Sequence, residues 1–187
     1  YRKKSVAATK EKPKPSNVIA FPRKPVTAAA AVPEKRSVKA KPAAPDFRND
    51  ARLCETHAQA LFVDNRSTAV LEFLARAVVW HPLSQELHYL YAVGLLNGSE
   101  VDKAAGIARR LVYLDRRSVA AHMLLGTIAQ QRGDRAGAMR AYRNGLNFCG
   151  GAGENEIVPL TGNECYGRVA AALAAEIATL QSAERAV

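Results

Sequence analysis

The sequence predicts an all-α fold: three helix pairs stacked as a short solenoid, closed by a C-terminal capping helix and preceded by a disordered basic linker. Three observations carry this. From Ser118 to Phe148, apolar residues recur at spacings of three and four on either side of a Gly133-Asp134 break, a pattern that reads as helix, turn, helix. The pattern returns twice when slid back by 34 residues, so that Gly126 falls on Ala92 and Ala58, and Ala138 on Ala104 and Val70. The net positive charge and the prolines, by contrast, concentrate in the first 50 positions.

A period of 34 residues built from paired helices is that of the tetratricopeptide repeat, TPR. Helices this short are marginal alone in water, so their apolar faces must be buried against one another and against neighbouring pairs. Gly126, Ala92 and Ala58 are the small residues that would let two helices approach closely.

Residues 1–50 hold thirteen Lys or Arg against four acids, a balance of +9, whereas residues 51–187 hold fourteen against thirteen, a balance of +1. Seven of the nine prolines precede residue 46, in a stretch without glycine and with few large apolar side chains. Such a stretch cannot bury enough surface to offset its chain entropy, so residues 1–49 are expected to be a disordered Lys/Pro/Ala-rich linker. Its one apolar island, Asn17 to Pro22, is either a docking motif or a chance cluster. The tail's charge would give weak, salt-sensitive contact with an anionic membrane, at about 1 kcal/mol per Lys or Arg near the surface. Without interleaved aromatics or a reading motif, no specific nucleic-acid partner is expected. No run is long enough to span a bilayer, and the expected location is cytoplasmic.

The helical domain is expected over residues 50–187. The first pair runs over about 50–82, with its turn at Asn65-Arg66-Ser67, Ser67 as cap, and a stop at Pro82. Its second helix would turn Val70, Leu71, Leu74, Ala77 and Val78 inward. The second pair covers about 83–116 and turns at Asn97-Gly98-Ser99, with Ser99 or Asp102 as cap. Its buried stripe is Ala104, Ile107, Ala108, Leu111 and Val112. The third pair covers about 118–149 and buries Ala121, Leu124, Leu125, Ile128 and Ala129, then Ala138, Met139, Tyr142 and Leu146. Cys149 to Gly153 then breaks the helix. This glycine-rich run trails a helix and leads into Glu154 and Glu156, which speaks against a phosphate cradle. Thr161-x-x-Glu164 offers a capping box for a last helix over about 163–184, with a stripe of Tyr166, Val169, Leu173, Ile177 and Leu180.

No catalytic constellation can be assembled, and no catalytic, cofactor-binding or metal-ligating residues are expected. The three cysteines, Cys54, Cys149 and Cys165, are odd in number and lack ligand spacing. His88 and His122 recur at equivalent repeat positions on the packing face and read as satisfied, partly buried histidines. A concave surface lined by the first helix of each pair is expected to bind a protein or peptide. Its lining would be Arg52, Glu55, Gln59 and Phe62, then Glu86, Tyr89, Val93 and Asn97, then Met123, Thr127 and Gln130. Only Arg52 and Asn97 could clamp a terminal carboxylate. Phe62, Tyr89 and Met123 better suit a segment with apolar anchors.

Between Leu83 and Ile177, the runs LSQELHYLYAVGLL, VDKAAGIARRLVYLD, GDRAGAMRAYRNGLNFC and ENEIVPLTGNECYGRV are similar to the C-terminal TPR extension of CheR-type chemotaxis receptor methyltransferases. Tyr113-Leu114-Asp115, Tyr142-Arg143-Asn144, and Val158-Pro159 leading to Gly167-Arg168 carry the resemblance. The family usually has Ser-Asp-Gly where this chain has Leu160-Thr161-Gly162. The opening Tyr1-Arg2-Lys3 also looks like the last strand of the methyltransferase domain. The resemblance implies a parent protein-glutamate O-methyltransferase whose S-adenosylmethionine-binding domain lies before Tyr1, with no cofactor in this segment. It implies a chemoreceptor or signalling partner and a regulatory role for this TPR part. The alternative is a stand-alone TPR adaptor or scaffold whose basic tail binds membrane or nucleic acid.

Overall fold

A computed structural model describes residues 46–63 and 67–185. The described residues form seven helices: α1 (Ala51–Val63), α2 (Ser67–Trp80), α3 (Gln85–Asn97), α4 (Val101–Leu114), α5 (Val119–Gln131), α6 (Arg135–Cys149) and α7 (Tyr166–Arg185). The starts of α1, α3 and α5 are 34 residues apart, and so are those of α2, α4 and α6. Each helix packs on the next in order, giving three stacked pairs with α7 laid against α6.

Capping chemistry repeats with the same period. Ser84 and Ser118 each occupy the N-cap of a first helix, and their hydroxyls accept from Leu87 N and Ala121 N, both at 3.3 Å. The α5–α6 turn is made by Gly133 at φ 76°, and Asp134 then caps α6 by accepting from Gly137 N at 2.8 Å. At the equivalent α3–α4 turn the left-handed residue is Ser99, φ 62°. That backbone role takes Ser99 out of the cap it was expected to make. Glu100 holds the N-cap position without a side-chain bond, and Asp102 lies inside the first turn.

Three continuous apolar clusters run along the stack. The first joins Cys54 and Ala58 of α1 to Val70, Phe73 and Leu74 of α2 and Leu87 of α3. The second joins α3, α4 and α5 through Leu95, Ala104, Ala108, Leu111, Leu124 and Ile128, with Ile107 and Val112 half-buried against it. The third joins Ala138 and Tyr142 to Val169, Leu173 and Leu180 of α7, with Tyr166 and Ile177 packed alongside. His88 and His122 are buried within the stack. Their rings bond backbone carbonyls, His88 Nδ1 at 2.7 Å from Ser84 O and His122 Nε2 at 3.0 Å from Arg116 O.

Two expectations are corrected at the ends of the domain. Phe47, assigned to the linker, belongs to the folded part: its ring packs on Phe73 at 5.1 Å and on His57 at 4.9 Å. Its carbonyl accepts from His81 Nε2 at 2.9 Å and Cys54 Sγ at 3.0 Å. Residues 1–45 of the linker, including Tyr1-Arg2-Lys3 and Asn17 to Pro22, lie outside the described residues, as do Asn65 and Arg66 of the first turn. The Thr161/Glu164 capping box does not form. Thr161 Oγ1 instead donates to Val158 O at 2.8 Å, and Glu164 O accepts from Val158 N at 2.9 Å beside an Ile157–Cys165 bridge. Helix α7 starts after that bridge, and its leading N–H groups donate to loop carbonyls, Tyr166 N to Glu156 O at 2.9 Å and Gly167 N to Glu154 O at 2.8 Å.

A Cβ on Gly126 would fall inside the ring of Tyr142, whereas one on Gly106, exposed on α4, would meet nothing within 4 Å. Gly126→Ala should therefore destabilise the domain by about 1–3 kcal/mol through overpacking. Gly106→Ala should stabilise it by up to about 1 kcal/mol through helix propensity. Urea denaturation followed by circular dichroism checks both signs.

Candidate functional site

The loop between α6 and α7 changes which part of the concave surface is open. After Cys149 the chain folds back over the first helices of the pairs. Val158 is 1% exposed in the cluster that also holds Met123, Val169 and Leu173. Leu160, at φ 72°, packs against the α3–α4–α5 cluster together with Tyr89 and Leu125. At the level of α5 the concave face is thus occupied by the chain itself.

A cleft of about 230 Å³ remains between this loop and the first two pairs, lined by Gln59 of α1, by Glu86, Tyr89 and Leu90 of α3, and by Ile157 to Leu160 with Gly162. Apolar side chains dominate its wall. The Tyr89 ring is half-buried there, and burial pushes its hydroxyl pKa up to about 12, so it stays a neutral hydrogen-bonding group. One end carries negative charge. The Ser84 hydroxyl lies 3.3 Å from Glu55 Oε1 and 3.5 Å from Glu86 Oε2. Burial, and then the charge of Glu86, raise the Glu55 carboxyl above its ordinary value, with the Ser84 bond acting in the opposite direction.

Of the eleven residues expected to line the groove, Gln59, Glu86 and Tyr89 are brought into this cleft, with Glu55 beside it. The others stand elsewhere. Val93 is 1% exposed in the α3–α4–α5 core, where the close approach of three helices leaves it no free surface. Phe62 lies over Gly94 of α3, and a Cβ there would come within 3.2 Å of its ring. Arg52 and Asn97 are exposed beyond the cleft. Met123 packs under Val158 and α7. Thr127 donates to Met123 O at 3.1 Å and lies 3.4 Å from the Tyr142 hydroxyl. Gln130 accepts from Tyr142 at 2.9 Å and donates to Glu176 of α7 at 3.3 Å. The partners of these α5 residues come from α6, α7 and the returning loop. The wall residues missed were Ile157 to Leu160, and the available signal was an uninterrupted apolar run inside a loop.

Among the described residues no three His, Cys, Asp or Glu side chains gather as metal ligands, and no helix is long and apolar enough to cross a membrane.

No family model matches the chain, and no curated protein does. Solved structures do. The type III secretion translocator chaperone SycD of Yersinia enterocolitica superposes with a TM-score of 0.62 over 72% of this chain and 93% of its own, at 7% identity. The Sgt2 TPR domain of Aspergillus fumigatus gives 0.55 over 72% and 82%, at 18% identity. The OM64 TPR domain of Arabidopsis gives 0.54 over 71% and 100%, at 13% identity. The fold is that of a TPR domain.

Within this TPR domain the acidic end of the cleft makes a pH-dependent contribution. Because the folded-state pKa of Glu55 is raised, the stability it contributes is present at low pH and is lost as pH rises through that value. Glu55→Gln should therefore unfold at higher temperature than the parent at neutral pH. The two should converge below about pH 4, where the unfolded carboxyl is also protonated. Thermal unfolding at several pH values checks this, and a constant difference at every pH would remove the assigned cause.

Proposed function

We propose that this TPR domain is a non-catalytic protein-interaction module whose cleft takes a partner segment with an apolar anchor next to a basic residue. The observation that carries the reading is the joining of an apolar wall, Tyr89, Leu90 and Val158 to Leu160, to the paired carboxylates Glu55 and Glu86. An aliphatic or aromatic side chain would exchange water for that wall. A Lys or Arg beside it would relieve the repulsion between the two carboxylates.

In its finer form, the domain is the regulatory tail of a CheR-type methyltransferase that uses S-adenosylmethionine on chemoreceptor glutamates. Its support is the run of motifs from Tyr113-Leu114-Asp115 to Gly167-Arg168. The loop that carries Val158-Pro159 in that resemblance is also the wall of the cleft. The partner on this reading is a chemoreceptor or another component of the signalling assembly, and methyl transfer belongs to a domain ahead of Tyr1.

Selection of a random peptide library on the protein should enrich sequences pairing Leu, Phe or Met with Lys or Arg. Enriched peptides should lose about 10- to 30-fold in affinity on Tyr89→Ala, as expected for an aromatic hot spot. They should lose a comparable amount on Glu86→Lys and nothing on Asn97→Ala. Enrichment of acidic peptides, or indifference to Tyr89→Ala, would place the site elsewhere. Intact mass of the native gene product, with S-adenosylmethionine binding by that product, tests the parentage.

A further inference from the structure

A second cleft, of opposite charge, lies among the second helices of the pairs. Helices α4 and α6 both pack on α5 but make no substantial contact with each other, so a groove of about 340 Å³ is left above α5. Its floor is Leu125, Ile128 and Ala129, and small residues, Ala105 on α4 and Gly137 and Ala141 on α6, keep its walls low. Arg109 stands on the α4 wall, Arg140 on the α6 wall and Arg132 at the end of the floor. Arg132 is held by Asp102. Arg109 and Arg140 make no ion pair among the described residues, although both are long side chains over a shared apolar floor. The one carboxylate in the lining, Asp134, is engaged in capping α6 through Gly137 N at 2.8 Å.

We propose that this groove is a binding site for an acidic segment of a partner protein, about two helical turns long, with one apolar edge. Guanidinium groups on two walls match carboxylates on both sides of such a segment, each able to form paired N–H to oxygen bonds. The floor between them matches its apolar edge. Floor positions 125, 128, 129 and 132 follow one stripe of α5, a rise of about 10 Å, which is two turns of helix. An inorganic anion would leave the apolar floor unused, and a flat lipid surface cannot enter a groove sunk between two helices. This site shares no residue with the Tyr89 cleft and stands independently of the reading given for it.

The test uses the full chain at about 0.15 M salt, which weakens non-specific charge contacts of the basic segment 1–45. The probe is a fluorescein-labelled glutamate peptide of about three helical turns with leucines at every third or fourth position, read by polarisation. Arg109→Glu with Arg140→Glu should weaken its binding at least about tenfold. The same charge change at Arg76 and Arg168, exposed on α2 and α7, should change it less than about twofold. Replacing the leucines of the peptide by serine should also cost about tenfold. Should the double glutamate variant lose its helical circular dichroism, Arg109→Gln with Arg140→Gln gives the same comparison at a smaller charge change. Absence of binding, equal effects of the two variant pairs, or indifference to the leucines would overturn the proposal. So would a dependence on Arg109 and Arg140 seen only with anionic vesicles or DNA.

Discussion

The ring of Tyr142 lies against the bare backbone of Gly126, and most of the C-terminal half is arranged around that contact. Without a Cβ at 126, α5 and α6 come close enough for the phenol to reach Gln130, whose amide in turn meets Glu176 of α7. One close approach thereby links three helices through a satisfied polar chain. Burial raises the Tyr142 hydroxyl pKa, a bond with Thr127 acts in the opposite direction, and the charge of Glu176 adds to the rise, so the phenol remains a donor. The earlier repeats have alanine at this position. Ala92 and Ala58 are fully buried at the corresponding positions, but without a tyrosine to receive they make no comparable polar chain.

Whatever depended on local period was legible in the sequence. The 34-residue register placed the three helix pairs and the two buried histidines, because each follows from helix geometry and from the next repeat being like the last; the Ser84 and Ser118 caps share that period but were not singled out. The errors share a cause. Thr127, Gln130 and Met123 were assigned to the open groove. Gln130 and Met123 meet α7 and a loop thirty or more residues ahead, and Thr127 lies against Tyr142 of α6, contacts that the groove assignment did not include. Thr161 and Glu164 had the spacing of a capping box, but the Ile157–Cys165 bridge and the left-handed residues Leu160 and Gly162 used those groups to turn the loop inward. Val93 failed for a simpler reason. At the centre of a stack the first helices touch neighbours on both sides, and a position one step off the concave stripe is already interior.

The returning loop also decides how charge is displayed. By covering α5 it removes a neutral stretch from the concave face and leaves a short cleft whose open end carries Glu55 and Glu86. The other side of the stack presents Arg109, Arg132 and Arg140. Residues 51–187 carry almost no net charge, so this is segregation rather than excess. Two clefts of opposite sign on one small domain would favour different partners. Their selectivity would come from repulsion of the wrong sign as much as from attraction of the right one.

The cleft also lies at the weakest joint of the stack. A repeat domain is stabilised by each unit and by its interfaces, and a terminal unit has only one neighbour. Helix α1 contributes just two fully buried side chains, Cys54 and Ala58. Its attachment is reinforced by Phe47, which ties the entry to α1 to the end of α2 through Cys54 and His81. The inner wall of the cleft is α3 and the loop, both anchored in the larger clusters, while Gln59 belongs to α1. A ligand touching Gln59 on one side and Tyr89 and Leu160 on the other adds a second interface to the unit that has fewest. By mass action such a ligand stabilises the packed form of the first pair. The pair with fewest buried side chains in its first helix is expected to open most readily, so a ligand held in the cleft would couple its occupancy to order in α1.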